Sequence, residues 1–298
     1  MSLRFADLRS PEAVARETRD ADAVIVDDEV LGAAHIEALA SSVGVIGRSG
    51  TGLDSIDLEA ARRRGVSVLN LPAFATAEAA DHTVALLLAA LRRLPHCGDV
   101  ARSTWHDWRR VGRLAAIGES TIGIVGAGRI GRAVIERLRP FGARLLAFDP
   151  ALAAPPAGVE LAATLDELLA RSDAVSLHVP LVEGTRGMIG RRELELMKPD
   201  AVLVNVSRGA LVDEPALVEA LREDRLGGAA LDVVADEPPD ASAAILSAPR
   251  VLLTPHVAWF SEASEARARD HTLHAVVACL RGEELPYGAL AVDARATS

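Results

Sequence analysis

The chain has few aromatic residues and few cysteines. Aromatic side chains make up 3% of its 298 residues, although half of the residues are hydrophobic, mainly Ala, Val and Leu. Such a composition disfavours an aromatic-rich β-sandwich and favours buried parallel strands covered by helices. The two cysteines, Cys97 and Cys279, cannot make a disulfide framework and match no CxxC pattern, so no metal site is predicted.

An excess of positive charge and long apolar runs are also lacking. The formal net charge is −10, so the chain has no electrostatic reason to seek nucleic acid or anionic lipid. The longest apolar stretch, near residues 84–91, is far shorter than the roughly 20 residues of a membrane span. Charged residues stand near the N-terminus where a signal peptide needs an apolar run. We expect a soluble, cytoplasmic protein with a small-molecule partner.

Short β-branched runs alternate with helical patterns in two series, one on each side of the interruption at residues 96–119. This alternation predicts an α/β fold built on doubly wound parallel sheets. The predicted strands are residues 23–26, 43–47, 66–69, 122–125, 145–148, 174–177, 201–206, 228–232 and 251–253. The predicted helices include residues 33–40, 57–64, 76–94 (ended by Pro95) and 261–281.

A glycine-rich turn, Gly126-Ala127-Gly128-Arg129-Ile130-Gly131, joins a buried strand to a helical pattern. In such a turn the first glycine permits the bend and the second lets a pyrophosphate approach the backbone. The third allows close packing of helix on strand. The amides at the helix N-terminus, including those of Arg129 and Ile130, favour an anion. The turn therefore predicts a dinucleotide site.

The strand after this turn ends in Asp149, 23 residues after Gly126. A carboxylate at this position accepts hydrogen bonds from the ribose hydroxyls and repels a 2′-phosphate. No arginine follows in Pro150-Ala151-Leu152 to reverse that preference. The sequence therefore predicts NAD rather than NADP.

Three polar residues, Arg208, Glu237 and His256, follow apolar strands of the second series. In an open α/β sheet, groups beyond the carboxyl ends of the strands converge on the ligand crevice. Arg208 offers a planar fork for an oxo acid, and His256 is a general acid. A glutamate beside the histidine favours its protonated form. Singly, each is more often a solvated charge or a turn residue; together they predict hydride transfer.

These residues resemble the signatures of the D-isomer-specific 2-hydroxyacid dehydrogenase family over about residues 3–290. The resemblance implies that Arg208 binds substrate, that Glu237 orients and charges His256, and that His256 donates the proton. It also implies that Asp232 holds the nicotinamide carboxamide. The backbone amides of residues 50–52 would bind the substrate carboxylate, which makes Gly50, Thr51 and Gly52 candidate substrate ligands. Further matching segments are residues 172–181, 197–199, 205–209, 230–233 and 255–256.

Two segments point to different branches of that family. Residues 256–262 look most like the branch that includes the C-terminal-binding protein corepressors, where the tryptophan lines the pocket and favours bulkier, apolar oxo acids. Trp259 is therefore a specificity candidate, with a buried tryptophan filling a domain seam as the alternative. Residues 47–52 are instead similar to the phosphoglycerate dehydrogenase branch, where the matching arginine, here Arg48, meets a substrate phosphate. Arg48 as a solvated charge is the alternative.

The resemblance also implies the domain organisation. A Rossmann-type NAD domain is expected over residues 95–263, and a smaller flavodoxin-like α/β substrate domain over residues 1–94 and 264–298. Family members usually carry a further strand before the segment that matches residues 3–8, so the small domain is expected to lack an edge strand or its start is misassigned. Residues 95–119 match the place where family members build a two-fold interface, which predicts a homodimer.

The leading hypothesis is an NAD-dependent D-2-hydroxyacid dehydrogenase. The alternative from another class is an NAD(H)-sensing interaction protein of the corepressor type, with little turnover. The complete Arg208, Glu237 and His256 set favours turnover, because a sensor does not need proton transfer. A third hypothesis, oxidation of formate or phosphite, is disfavoured by Glu237, since formate oxidation releases no proton from a hydroxyl.

Overall fold

The computed structural model describes residues 2–294, which form two compact units. The first unit comprises the described residues within Met1–Phe74 and Ser261–Ser298, and the second comprises Ala75–Phe260. Met1 and residues 295–298, which the predicted substrate domain includes, lie outside the described residues. Both units are α/β structures, and the predicted fold class is confirmed.

The regular elements agree with the predicted alternation, with strand ends within about two residues of their predicted positions. In chain order they are α1 (Pro11–Glu17), β1 (Ala23–Val26), α2 (Ala33–Glu37), β2 (Val45–Arg48), α3 (Leu58–Arg64), β3 (Ser67–Asn70), α4 (Thr76–Leu91), α5 (Leu94–Thr104), β4 (Thr121–Val125), α6 (Arg129–Leu138), β5 (Arg144–Phe148), β6 (Glu160–Leu161), α7 (Leu165–Arg171), β7 (Ala174–Leu177), α8 (Arg191–Leu196), β8 (Val202–Asn205), α9 (Glu214–Arg222), β9 (Gly228–Leu231), β10 (Val251–Leu253), α10 (Glu262–Leu280) and β11 (Ala289–Val292). None of the described helices combines the length and apolarity that a membrane crossing requires.

The first unit is built on a four-stranded sheet in the order β1-β2-β3-β11. β1, β2 and β3 are parallel, and β11, which the sequence patterns did not predict, is antiparallel to β3. Helix α10 packs on β2 at Gly47, where an added Cβ would lie 2.5 Å from a Val276 methyl. A glycine inside the strand therefore permits this close approach. Residues 3–8 form no strand in the described chain.

The second unit is built on seven parallel strands in the order β10-β9-β8-β7-β4-β5-β6. The chain enters the sheet at β4, adds β5 and β6 on one side, and then returns to add β7 to β10 on the other. The carboxyl ends of β4 and β7 therefore mark the point where the strand order reverses, which is where ligands bind in open α/β sheets. The glycine turn leaves β4 at this point.

Helix α4 belongs to the second unit, whereas the sequence-based prediction assigned it to the substrate domain. The predicted substrate domain ended at residue 94, but the units divide after Phe74 and after Phe260. Leu87 and Leu91 of α4 share a buried cluster with Ile124 and Val134 of the second unit. The apolar spacing of α4 predicts that the helix is buried, but it does not specify in which of the two units the helix packs.

Pro95 lies in the first turn of one helix, α5, in addition to following another, α4. Helix α4 ends at Leu91, Arg93 turns the chain with a φ of 47°, and α5 begins with Pro95 in its first turn. Proline is tolerated there because amides of the first turn have no acceptor within the helix. The segment expected to be irregular over residues 95–119 is therefore partly helical.

Candidate active site

The glycine turn has the geometry expected of a dinucleotide-binding turn. Gly126 has a φ of 90°, and an added Cβ would lie 2.8 Å from the His178 carbonyl oxygen. At Gly131 an added Cβ would lie 2.1 Å from the Gly126 carbonyl oxygen, so only glycine permits this packing of α6 on β4. Gly128, the N-cap of α6, faces open space. The turn is thus closed on its protein side and open where a pyrophosphate is predicted.

Asp149 lies beside the turn at the carboxyl end of β5. Its two carboxylate oxygens accept hydrogen bonds from the amides of Ala127 and Ala151, each at 2.9 Å. The carboxylate therefore braces the glycine turn and is also partly exposed. A contact between Asp149 and a cofactor ribose stays a prediction.

Arg208 and Glu237 are carried on two turns whose backbones touch. An added Cβ on Gly209 would lie 1.8 Å from the Val234 carbonyl oxygen, so the turn after β8 packs directly on the loop after β9. Asn205 at the end of β8 holds its turn by donating to the Arg208 carbonyl at 2.8 Å. Glu237 accepts a hydrogen bond from the Val234 amide at 3.1 Å. The close approach at Gly209 thus places both turns at one edge of the sheet.

His256 and Glu237 form a close pair. Nδ1 of His256 lies 2.5 Å from Oε2 of Glu237, and both side chains are partly exposed. With Nδ1 engaged, Nε2 is the ring nitrogen that can exchange a proton with a ligand. His256 also has a φ of 54°, which is uncommon outside glycine and is often found at functional sites. Its amide holds this conformation by donating to the Asp232 carbonyl at 2.8 Å.

The charges around this pair favour an imidazolium–carboxylate state. The hydrogen bond that His256 donates to Glu237 raises the pKa of His256, against the opposing effects of burial and the Arg208 charge. Burial alone would raise the pKa of Glu237, but the hydrogen bonds from His256 and the Val234 amide, together with the charges of His256 and Arg208, lower that pKa. The positive charge of Arg208 thus lowers the pKa of both members of the pair.

Asp232 holds the turn that carries His256. Its side chain is 0% exposed and accepts hydrogen bonds from the Thr254 hydroxyl and from the amides of Val257 and Ala258, at 2.5, 3.0 and 2.8 Å. These contacts make Asp232 a positioning residue for the turn. A contact with the nicotinamide carboxamide stays a prediction.

Two histidines near these turns were missed as site residues. His82 of α4 lies 3.0 Å from the Thr254 hydroxyl and 3.5 Å from a carboxylate oxygen of Asp232. His82 stands among other polar residues of α4, such as Asp81 and Thr83, so no sequence pattern set it apart. His178 follows β7, and its backbone closes on Gly126. Burial lowers the pKa of His178 to about 4, so its ring is neutral at pH 7.

The Gly50 loop (Gly50, Thr51 and Gly52) belongs to the first unit and follows β2. The Gly50 carbonyl accepts from the Leu71 amide at 2.8 Å, and the Thr51 carbonyl accepts from Asn70 at 2.6 Å. Among residues 2–294, the backbone amides of these three residues donate to no protein acceptor. The carbonyl contacts hold the loop in place, and its amides are available to donate hydrogen bonds to a carboxylate.

The two specificity candidates differ in their surroundings. Trp259 is partly buried in the second unit and makes an edge-to-face contact with Phe260, with ring centroids 5.6 Å apart. Arg48 of the first unit is 12% exposed and pairs with Asp27 at 2.7 Å. Arg48 is therefore not a solvated surface charge. No cluster of three or more potential metal ligands occurs among residues 2–294.

Comparisons with known proteins agree with this geometry. Residues 84–258 match the family described as D-isomer specific 2-hydroxyacid dehydrogenase, NAD binding domain. A D-3-phosphoglycerate dehydrogenase of Methanocaldococcus jannaschii is 37% identical over 276 residues, 91% of this chain and 52% of that protein. A glycerate dehydrogenase of Methylorubrum extorquens is 33% identical over 281 residues, 92% of this chain and 87% of that protein.

Solved structures show the same architecture. The TT0316 protein of Thermus thermophilus has a TM-score of 0.84 and 34% identity, covering 97% of this chain and 91% of its own. A D-lactate dehydrogenase of Aquifex aeolicus, complexed with NAD and lactic acid, has a TM-score of 0.83 and 28% identity, covering 90% and 86%.

The chain spans about half the length of several curated relatives, 52% and 54% in two of them. Three of the four proteins described above are named as dehydrogenases of hydroxy acids, and the closeness to the corepressor branch stays a prediction. The match over residues 84–258 shows that the second unit contains an NAD-binding domain. The chain belongs to the D-isomer-specific 2-hydroxyacid dehydrogenase family.

Proposed function

We propose that the chain is an NAD-dependent D-2-hydroxyacid dehydrogenase, which reduces a 2-oxo acid to the D-2-hydroxy acid or catalyses the reverse reaction. The observation that carries this proposal is the His256–Glu237 pair, with 2.5 Å between its polar atoms. It follows strands of the same parallel sheet as the glycine turn. A proton donor and a dinucleotide turn on one sheet are the two parts that such a reduction needs.

Each residue of the site has a chemical role in the proposed reaction. Bound NADH supplies the hydride that the carbonyl carbon of the substrate accepts. His256 donates the proton of Nε2 to the carbonyl oxygen, and solvent then reprotonates the imidazole. Glu237 orients the ring through Nδ1 and stabilises its positive charge. Arg208 binds the oxo acid and stabilises negative charge on the oxygen, and the amides of the Gly50 loop bind the substrate carboxylate.

The proposal is tested by following NADH absorbance with a panel of 2-oxo acids that includes glyoxylate, hydroxypyruvate, pyruvate and a branched-chain oxo acid. We expect turnover with at least one of them and a product of D configuration. Tight NADH binding without turnover on any oxo acid would instead favour the NAD(H)-sensing alternative.

We propose that Asp149 selects NAD. Replacing Asp149 with asparagine removes the charge but keeps an acceptor for the neighbouring amides, so the turn should remain folded. A hydrogen bond to a charged group contributes about 1.5–3 kcal/mol, so NADH affinity should fall roughly 10- to 100-fold and discrimination against NADPH should relax. Fluorescence titration with both cofactors measures this. Asp166→Asn, at a partly exposed position of α7, is the matched control, and an unchanged preference in Asp149→Asn would remove Asp149 from the ribose site.

The pH dependence of reduction should report the His256–Glu237 pair. The protonated imidazole is the proton donor, so activity is present below the pKa of His256 and is lost as the pH rises through it. Glu237 raises that pKa, and Glu237→Gln should therefore move the alkaline limb of kcat to lower pH. Glu195→Gln, on the exposed side of α8, is the control. An alkaline limb at the same pH in both variants would assign it to another group.

We also propose that the chain forms a homodimer through residues 95–119. Trp105 and Trp108 are 75% and 63% exposed, and the Arg109 guanidinium stacks on Trp108 at 4.4 Å. Two exposed tryptophans with an arginine are typical of an interface. Sedimentation velocity tests this proposal: a monomeric wild-type protein at micromolar concentration would contradict it.

A further inference from the structure

Arg48 lies at the carboxyl end of β2, in contact with the Gly50 loop. Its guanidinium donates to Asp27 at 2.7 Å and lies 3.5 Å from Asp28. An added Cβ on Gly50 would lie 2.9 Å from Nη1 of Arg48, so the guanidinium packs against the backbone of the loop. The charged groups of Arg48, Asp27 and Asp28 therefore lie next to the Gly50 loop.

The sheet register places the carboxylates next to this arginine. Val26, the last residue of β1, pairs with Arg48 of β2. The Val26 carbonyl accepts a hydrogen bond from the Ser49 amide at 2.8 Å. Asp27 and Asp28 directly follow β1 and so emerge at the same edge as the Gly50 loop. Glu29 adds a third carboxylate, which accepts from the Asp27 amide at 2.9 Å. One guanidinium lies beside the carboxylates of Asp27 and Asp28, with Glu29 following directly, so the local charge is negative.

The guanidinium is not available as an anchor for an anion. Nη1 is engaged by Asp27, and Nε is buried without a hydrogen-bond partner among the described residues. Asp27 and Asp28 are 63% and 93% exposed, so their charges face solvent at this edge. A phosphate group carries about two negative charges at pH 7. It would meet these carboxylates before it could reach the arginine.

We infer that Asp27 and Asp28 are specificity-determining residues, which neutralise Arg48 and restrict the substrate to 2-oxo acids whose side chain carries no negative charge. This inference rests on the proposed function. It distinguishes the chain from relatives such as the 37% identical protein of Methanocaldococcus jannaschii, which is named D-3-phosphoglycerate dehydrogenase. Phosphorylated oxo acids are the substrates that this arrangement excludes.

The test compares hydroxypyruvate with its 3-phosphate ester, two oxo acids that share a carbon skeleton and differ in the phosphate. For the wild-type protein with NADH, we expect kcat/KM to favour hydroxypyruvate by at least roughly tenfold, because two charges act on the phosphate at short range. Since these carboxylates are exposed, raising the salt concentration should reduce the ratio. This salt dependence requires no variant and so does not depend on whether a variant folds.

Variants then identify the residues responsible. Asp27→Asn with Asp28→Asn should raise kcat/KM for the phosphate ester roughly tenfold or more, with little change for hydroxypyruvate. Adding Arg48→Gln to this double variant should abolish the gain, because the released guanidinium is what attracts the phosphate. Glu37→Gln, on the exposed side of α2, removes one negative charge elsewhere in the first unit and should leave the ratio unchanged.

The outcomes separate this inference from the proposed function. Turnover of the phosphate ester at least as efficient as that of hydroxypyruvate would overturn the inference and leave the proposed function intact. An unchanged ratio in the soluble double variant would also overturn it. Absence of turnover on every oxo acid of the panel would overturn the proposed function, and the inference with it.

Discussion

Replacing His256 with asparagine is expected to lower kcat for oxo-acid reduction by about 10²- to 10⁴-fold, the usual contribution of a general acid. The proton that Nε2 would donate is lost, and so is the positive charge that Glu237 stabilises. Asparagine is chosen because it tolerates the left-handed backbone conformation, and His256 has a φ of 54°. The variant should therefore keep the turn that the Asp232 carboxylate holds.

Two further measurements identify the cause of that loss. NADH affinity should change little, because the glycine turn and Asp149 do not contact His256 in the described hydrogen bonds. His274→Asn, at an exposed position of α10, should retain wild-type kcat. Full activity in His256→Asn on a good substrate would remove His256 from the proposed mechanism.

The alternation of strands and helices could be predicted from the sequence because each pattern is local. Buried parallel strands such as β9 are short continuous apolar runs, and Asp57 and Gly65 mark the two ends of α3 as its cap residues. β11 was missed although it is also a short apolar run, since it pairs with β3 from more than 200 positions away, and the two-residue β6 was missed as well. Long-range pairing of this kind has no local signal.

In the candidate site too, features set by local sequence could be predicted, and contacts between distant residues could not. The glycine turn was predictable because Gly126 and Gly131 meet steric restrictions within the turn itself, where an added Cβ would clash with neighbouring backbone. The pairing of His256 with Glu237 was suggested by their positions after neighbouring strands. The contact of His82 with Thr254 joins residues 172 positions apart and required the structure. The neutralisation of Arg48 by Asp27 likewise depends on the register of β1 and β2.

Replacing Arg208 with glutamine is expected to lower kcat/KM for the oxo acid by about 10²- to 10³-fold, the loss that follows removal of one group that stabilises a developing oxyanion. Arg208→Lys should recover only part of the activity, because lysine keeps the charge but not the planar fork. Arg222→Gln, at the exposed end of α9, is the matched control. Wild-type kcat/KM in Arg208→Gln would exclude Arg208 from substrate binding.

The pH profile of Arg208→Gln distinguishes loss of a substrate contact from general damage to the site. The positive charge of Arg208 lowers the pKa of His256, whereas Glu237 raises it. The alkaline limb of kcat should therefore move to higher pH in Arg208→Gln and to lower pH in Glu237→Gln. Displacement in the same direction in both variants would indicate a rearranged turn. Opposite displacements would establish that both charges act on the proton that His256 donates.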